Sequence, residues 1–264
     1  MNKLNKLLGA TAALAFAVSS FSANANETVS VGATPVPHVE ILEVVKPILA
    51  KQGVDLKIVE FNDYVQPNLS VSDGQLDTNY FQHRPYLESF IKDRGSDLVE
   101  VGGVHIEPMG LYSHKIKKLD ELKEGSTVAI PNDPTNGARA LLLLQSAGLI
   151  ELEDPSNITA TVLDIKTNSK NLNFKELEAA QLPRSLDDVD AAVINTNFAI
   201  SANLNPLKDS IIIEKSDSPY VNVLVANSKS AQKEGVKALV KALQSKEVKD
   251  FIEKKYNGAV VAAF

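Results

Sequence analysis

Side chains able to recognise a small molecule concentrate at Asn79-Tyr80-Phe81-Gln82-His83-Arg84-Pro85-Tyr86. If Asn79 to His83 is extended, Asn79, Phe81 and His83 face one way. A ring beside an imidazole makes a flat, polarizable wall with a polar edge, suited to a thioether or another soft apolar group. The competing reading is a core aromatic followed by a helix cap, with Arg84 and Tyr86 on the surface. A second group is Asn132-Asp133-Pro134-Thr135-Asn136-Gly137-Ala138-Arg139, where a strand leads in and a helix leads out. Exposed N–H groups at that helix start attract an anion, and the Arg139 fork, about one turn in, reaches toward the same place. This combination fits an α-carboxylate; the alternative is a well-capped helix with a solvated arginine. Asn195, Asn197 and Asn222 follow or lie in later extended runs. Asparagine both donates and accepts, so it can address a carboxylate or an ammonium, although turns favour it as well. Tyr64, in Asn62-Asp63-Tyr64 after the run Leu56–Phe61, is a candidate second aromatic wall, because α/β sheets bind ligands beyond the carboxyl ends of their strands.

Other chemistries lack their residues. There is no cysteine, hence no disulfide, thiolate metal site or cysteine nucleophile. GxGxxG, P-loop, GxSxG and HExxH patterns are missing, and His38, His83, His105 and His114 show no close metal spacing. The net charge of −6, with both signs interspersed, disfavours nucleic acid, whose phosphates want a basic face. No catalytic group, metal or cofactor is assigned.

Positioning these residues calls for alternating strands and helices. Lys3 and Lys6, the apolar stretch Leu7 to Val18, and Ala23-Asn24-Ala25 have the layout of a secretory signal peptide over residues 1–25. Next comes a β-α-β opening, with Ile41, Leu42, Val45, Ile48 and Leu49 on one helical face, which predicts a mostly parallel sheet. The pattern recurs with a strand at Thr127–Ile130, a helix at Ala138–Ala147, and strands at Thr159–Leu163 and Ala191–Ile194. The expected fold is α/β with two lobes. Residues 26–108 plus 222–264 form lobe I and residues 109–221 form lobe II. Two extended connections, Val104–Tyr112 and Ser218–Val225, suit a hinge.

On Val31-Gly32-Ala33-Thr34-Pro35-Val36-Pro37-His38, Asp77 to His83, Ile130 to Asn136, Asn195-Thr196-Asn197 and Gly258-Ala259-Val260-Val261, nearly the whole chain after residue 25 resembles the methionine-binding proteins of ABC importers, grouped as the NlpA lipoprotein family. The resemblance implies the two-lobed periplasmic-binding-protein fold (type II-like), with a ligand in the interlobe cleft and a membrane permease as partner. It implies that Tyr64, Phe81 and His83 enclose the ligand side chain with Tyr80 nearby. It also implies that Arg139 holds the carboxylate and that Asn197 and Asn222 bond the ligand's amino and carboxylate groups. L-methionine, D-methionine and methionine-containing dipeptides all remain open, and no carboxylate is singled out to balance the ligand ammonium. A periplasmic enzyme using His83 as base, or an adhesin keeping the cleft, are the rival readings. Many members carry a lipid-modified cysteine after the signal peptide; this chain has none, so a soluble, monomeric periplasmic protein without a lipid anchor is expected. N-terminal sequencing of exported material should begin at Asn26, and membrane-bound protein still starting at Met1 would refute the cleavage.

Overall fold

The computed structural model describes residues 26–264; the signal segment expected at 1–25 lies outside the described residues. The chain opens with β1 (Glu27–Ala33), a kinked helical turn at Pro35–Val39, α1 (Glu40–Ala50) and β2 (Val54–Glu60), followed by α2 (Gln66–Ser72), β3 (Thr78–His83), α3 (Arg84–Arg94) and β4 (Leu98–Ile106). The middle holds β5 (Gly110–Tyr112), β6 (Thr127–Pro131), α4 (Pro134–Ser146), β7 (Glu151–Leu152), β8 (Ile165–Thr167), β9 (Asn173–Leu177), β10 (Ala191–Ile194), α5 (Thr196–Ser201), α6 (Pro206–Asp209) and β11 (Ile212–Ile213). The chain then returns through β12 (Val221–Asn227), α7 (Glu234–Leu243), α8 (Lys246–Tyr256) and β13 (Val261–Ala262).

These strands make two main sheets. The first has the order β13-β4-β12-β3-β1-β2, the second β11-β5-β10-β6-β9. β1 runs parallel to both β2 and β3, as the β-α-β opening predicts, and β6 runs parallel to β9 and β10. Each sheet has its own core. Ile41, Leu42, Val45 and Leu49 of α1 pack with Val29 and Val31 of β1 and with Leu239 and Leu243 of α7. Leu141 and Leu144 of α4 pack with Val128 and Ile130 of β6 and Val193 of β10. The apolar stripes read from sequence thus become the buried faces, which is what removes these helices from solvent.

The sheets are joined twice: residues 107–109 between β4 and β5, and 214–220 between β11 and β12. The second connection ends earlier than expected, since Val221–Val225 already pairs with β3 and β4. The strand expected at Thr159–Leu163 is also absent. Thr161 Oγ1 and the Asp164 carboxylate cap a single helical turn there, and β9 takes the place beside β6. A capping box satisfies backbone groups locally, so this segment has no need of a strand partner. Leu163 points into solvent, 89% exposed. Leu163→Ser should change stability by no more than about 0.5 kcal/mol, as for an ordinary surface site. Leu144→Ala, fully buried, should cost about 2–5 kcal/mol. Urea unfolding of the two variants checks the contrast.

Candidate functional site

Nearly every candidate side chain emerges where a strand ends. β1 leads to Thr34 and His38, β3 ends in His83, β4 leads to Glu107, β6 to Asn136 and Arg139, and β10 to Asn195, Thr196 and Asn197. All of these except Thr34 and His38, which lie behind Asn222, line one cavity between the two sheets together with Tyr64, Phe81, Gln82, Tyr86 and Asn222.

One wall is aromatic and belongs to the first sheet. Ring centroids of Tyr64 and Phe81 lie 5.8 Å apart, and Tyr86 sits 6.0 Å from both. Phe198 of α5 approaches Tyr64 to 5.0 Å from the other side. Phe81 reaches the wall through a bulge: Tyr80 pairs with Leu224 and Gln82 with Val223, leaving Phe81 without a partner of its own. This corrects two expectations. Asn79 does not share Phe81's face; its amide bonds Asn68 and Gln82. Tyr80 does not border the cavity. It lies in the first core, on the face opposite Asn79 where ordinary strand alternation puts it, and its hydroxyl donates to His105 Nδ1. Tyr86, which the competing reading put on the surface, is a wall residue, with its hydroxyl donating to the Tyr64 carbonyl at 3.0 Å.

The opposite side is polar. Arg139 is buried and its charge is held from three directions. Nε donates to Glu214 Oε1 at 3.0 Å, Nη2 to the Glu107 carbonyl at 2.8 Å, and the guanidinium carbon stands 4.1 Å over the Tyr220 ring. Burial works most strongly against this charge, but Glu214, together with Tyr220 and Glu107, holds the Arg139 pKa above its ordinary value. Nη1 bonds no described residue, leaving one donor of the fork toward the cavity. Gly137 permits this placement, since a Cβ there would come within 3.0 Å of the Pro131 carbonyl oxygen. The start of α4 is not an open anion site, contrary to the expectation. Asp133 caps it, accepting the Asn136 N–H at 2.9 Å, and its carboxylate would repel an anion.

Three asparagines facing the cavity have one end of the amide already committed. Asn197 Oδ1 accepts from the Tyr64 hydroxyl at 2.6 Å, so Nδ2 is its free end. Asn222 Oδ1 accepts from His38 Nε2 at 3.0 Å, again leaving Nδ2. Asn195 is reversed: Nδ2 donates to Asn136 Oδ1 at 2.8 Å, and Oδ1 is buried without a partner.

Behind Asn222 lies a buried network that sequence reading missed. The Thr34 hydroxyl donates to His38 Nδ1 at 2.8 Å; His105 Nε2 donates to Glu107 Oε1 at 2.7 Å; His38 Nε2 stands 3.4 Å from the same oxygen. His38, His105 and Glu107 bring three potential metal ligands within 4.8 Å of one another, yet each imidazole nitrogen already has a hydrogen-bond partner. Burial pushes the Glu107 carboxyl up, against the pull of His38 and Arg139. Residues 38, 105, 107 and 222 are far apart in sequence; the only cue was a polar residue inside each apolar run.

The NlpA lipoprotein family profile matches residues 29–264. The chain belongs to this family. It is 52% identical over 213 residues to the D-methionine-binding lipoprotein MetQ of Escherichia coli, covering 80% of this chain and 79% of that protein. It is 43% identical to outer membrane lipoprotein 3 of Mannheimia haemolytica, over 98% of both chains. Among solved structures, a nutrient-binding protein from Burkholderia cenocepacia bound to methionine is 50% identical with a TM-score of 0.86, over 89% of this chain and 100% of that one. The two-lobed α/β fold expected from sequence is the fold of this family's solved members.

Burial lowers His38 to about 4 and His83 and His105 to about 3, with Arg139 adding to the effect at His83. An unfolded imidazole takes up its proton near 6.5, so each ring's contribution to stability is complete above that pH. The contribution is lost as pH falls toward the folded value, at up to about 1.4 kcal/mol per unit per ring. The raised pKa of Glu107 acts in the opposite direction. Nitrogen-15 NMR should find all three rings neutral and protonated on Nε2 from pH 8 down to about 5.5; a titration of any of them near 6.5 would contradict the buried network.

Proposed function

We propose that this protein is the periplasmic substrate-binding component of an ABC importer, taking methionine into the interlobe cleft and handing it to the membrane permease. The observation that carries the reading is the opposition inside one cavity of an aromatic wall and a set of fixed donors. Tyr64, Phe81, His83 and Tyr86 suit an unbranched thioether, which gains sulfur–aromatic contacts. Arg139 Nη1 with the free Nδ2 groups of Asn197 and Asn222 suits a carboxylate. Membership of the NlpA family, relatives named for D-methionine binding and a methionine-bound neighbour support the same ligand. L-Methionine is the ligand we favour, with the D enantiomer and methionine-containing dipeptides as the variants to compare.

Lobe I is taken as residues 26–108 with 222–264 and lobe II as 109–221. Binding rather than catalysis is favoured by how the cavity's groups are engaged. The Thr196 hydroxyl donates to the Pro108 carbonyl and His83 Nδ1 accepts the Tyr86 N–H, so these two are not paired as nucleophile and base. Among the described residues no helix is long and apolar enough to cross a membrane, and the chain has no cysteine to carry a lipid. A periplasmic protein without that anchor is therefore proposed, unlike the relatives named as lipoproteins.

Competition binding should rank methionine first, then norleucine, then leucine, with valine, glutamate and lysine far behind. A charged side chain would lose its hydration against the aromatic wall without a partner. Phe81→Ala should flatten this ranking. If glutamate, lysine or a branched aliphatic bound best, the methionine reading would fail. Arg139→Lys, which keeps a cation for Glu214 but loses the planar fork, should weaken methionine by about tenfold or more. Unchanged affinity by calorimetry would remove Arg139 from the site.

A further inference from the structure

Three side-chain amides are buried together next to Phe81. Asn68 and Asn79 are fully buried and Gln82 nearly so. Asn68 Oδ1 accepts from Gln82 Nε2 at 2.6 Å and from Asn79 Nδ2 at 2.9 Å, while Asn68 Nδ2 donates to Gln82 Oε1 at 2.8 Å. Gln82 Nε2 also donates to Asn79 Oδ1 at 2.9 Å, and Asn79 Nδ2 to the Pro67 carbonyl at 3.2 Å. Their surroundings are apolar. Val223 and Val225, which pair with Gln82 and Asn79, join Val71 of α2 and Leu87 of α3 in a hydrophobic cluster. Aliphatic side chains would suit that cluster without the cost of burying amides. What a satisfied polar network adds there is direction, because each amide accepts only one arrangement of its neighbours.

In an unbroken strand Gln82 would face away from Asn79. Their bond requires the extra residue that makes the bulge at Phe81, so the network holds that bulge in register. Pro67 and Asn68 lie at the start of α2. Asp63 Oδ1 accepts the Val65 and Gln66 N–H groups at 2.7 and 2.8 Å, which fastens the Tyr64 turn to the same helix. The amides therefore connect the segment carrying Tyr64 to the strand carrying Phe81, whose rings stand 5.8 Å apart. We infer that Asn68, Asn79 and Gln82 are positioning residues that fix the spacing of Tyr64 and Phe81 and through it exclude branched ligand side chains. The inference rests on the amino-acid-binding reading above and adds where its side-chain selectivity is set.

Calorimetry with methionine, norleucine and leucine tests this. Norleucine and leucine are isomers with the same amino-acid head and similar apolar area, so the ratio of their Kd values reports the shape of the slot. The unaltered protein should bind norleucine about tenfold or more tighter than leucine, as for a pocket that discriminates by one carbon's placement. Asn68→Leu removes the acceptor shared by Asn79 and Gln82 at similar volume, and should narrow the ratio to less than about threefold. If Asn68→Leu does not fold, Asn79→Ser, which withdraws the amide from both neighbours, provides the comparison. A network that only stabilises the fold would weaken both isomers by one factor; an unchanged ratio in the variant would therefore overturn the inference. An unaltered protein that binds methionine without separating the isomers would overturn it too, leaving the methionine reading in place. Failure of the unaltered protein to bind methionine would overturn both.

Discussion

A guanidinium cannot be buried unless its charge is matched, and Arg139 is buried where the two sheets meet. Its partners come from both connections between the sheets: the Glu107 carbonyl from the first, Glu214 and Tyr220 from the second. One side chain of α4 thereby ties the second sheet to both segments about which the lobes could move. The need to match this charge shapes much of what surrounds it. It calls for Glu214 at low exposure, for an aromatic face at Tyr220, and for Gly137 to let the helix approach the end of β6.

The remaining polar groups follow the same logic on a smaller scale. Each amide at the cavity has one end occupied by the protein, so the end facing the ligand is decided before the ligand arrives. Tyr64 holds Asn197, His38 holds Asn222, and Asn136 holds Asn195. Fixed dipoles of this kind lower the ordering cost of binding. The Tyr64–Asn197 and His83–Asn136 bonds also join groups from the first sheet to groups from the second, so the donors are aligned by contacts across the cavity.

Much of this was legible in sequence, and the failures have physical causes. Arg139, Asn197, Phe81, His83 and Tyr64, which line the cavity, were singled out because α/β proteins gather candidate groups at the carboxyl ends of strands, and the strands themselves show as apolar runs. Asn79 was grouped with Phe81 because sequence periodicity assumes an unbroken ladder, and the bulge at Phe81 breaks the two-residue alternation; Tyr80 was placed near the ligand by resemblance alone, against the alternation that puts it on the other face. Thr159–Leu163 resembled a strand by composition, while the Thr161–Asp164 cap that decides it is a local hydrogen-bond competition. Asp133 was misread with the helix start because the same residue type marks a cap and an approach for anions. Glu107, His38 and His105 escaped because their meaning lies in contacts between residues distant in the chain.

The aromatic wall and the polar donors are carried by different parts of the chain. Tyr64, Phe81 and Tyr86 stand on segments flanking the first sheet, whereas Asn136, Arg139, Asn195 and Asn197 follow strands of the second. Substitution at Phe81 or Tyr86 therefore changes the wall without touching the polar groups, whereas Tyr64 is tied to them through its hydroxyl on Asn197. If the cleft binds as proposed, a lineage, or a protein engineer seeking a reagentless sensor, would exchange one ligand side chain for another at those two positions while the polar groups stay as they are.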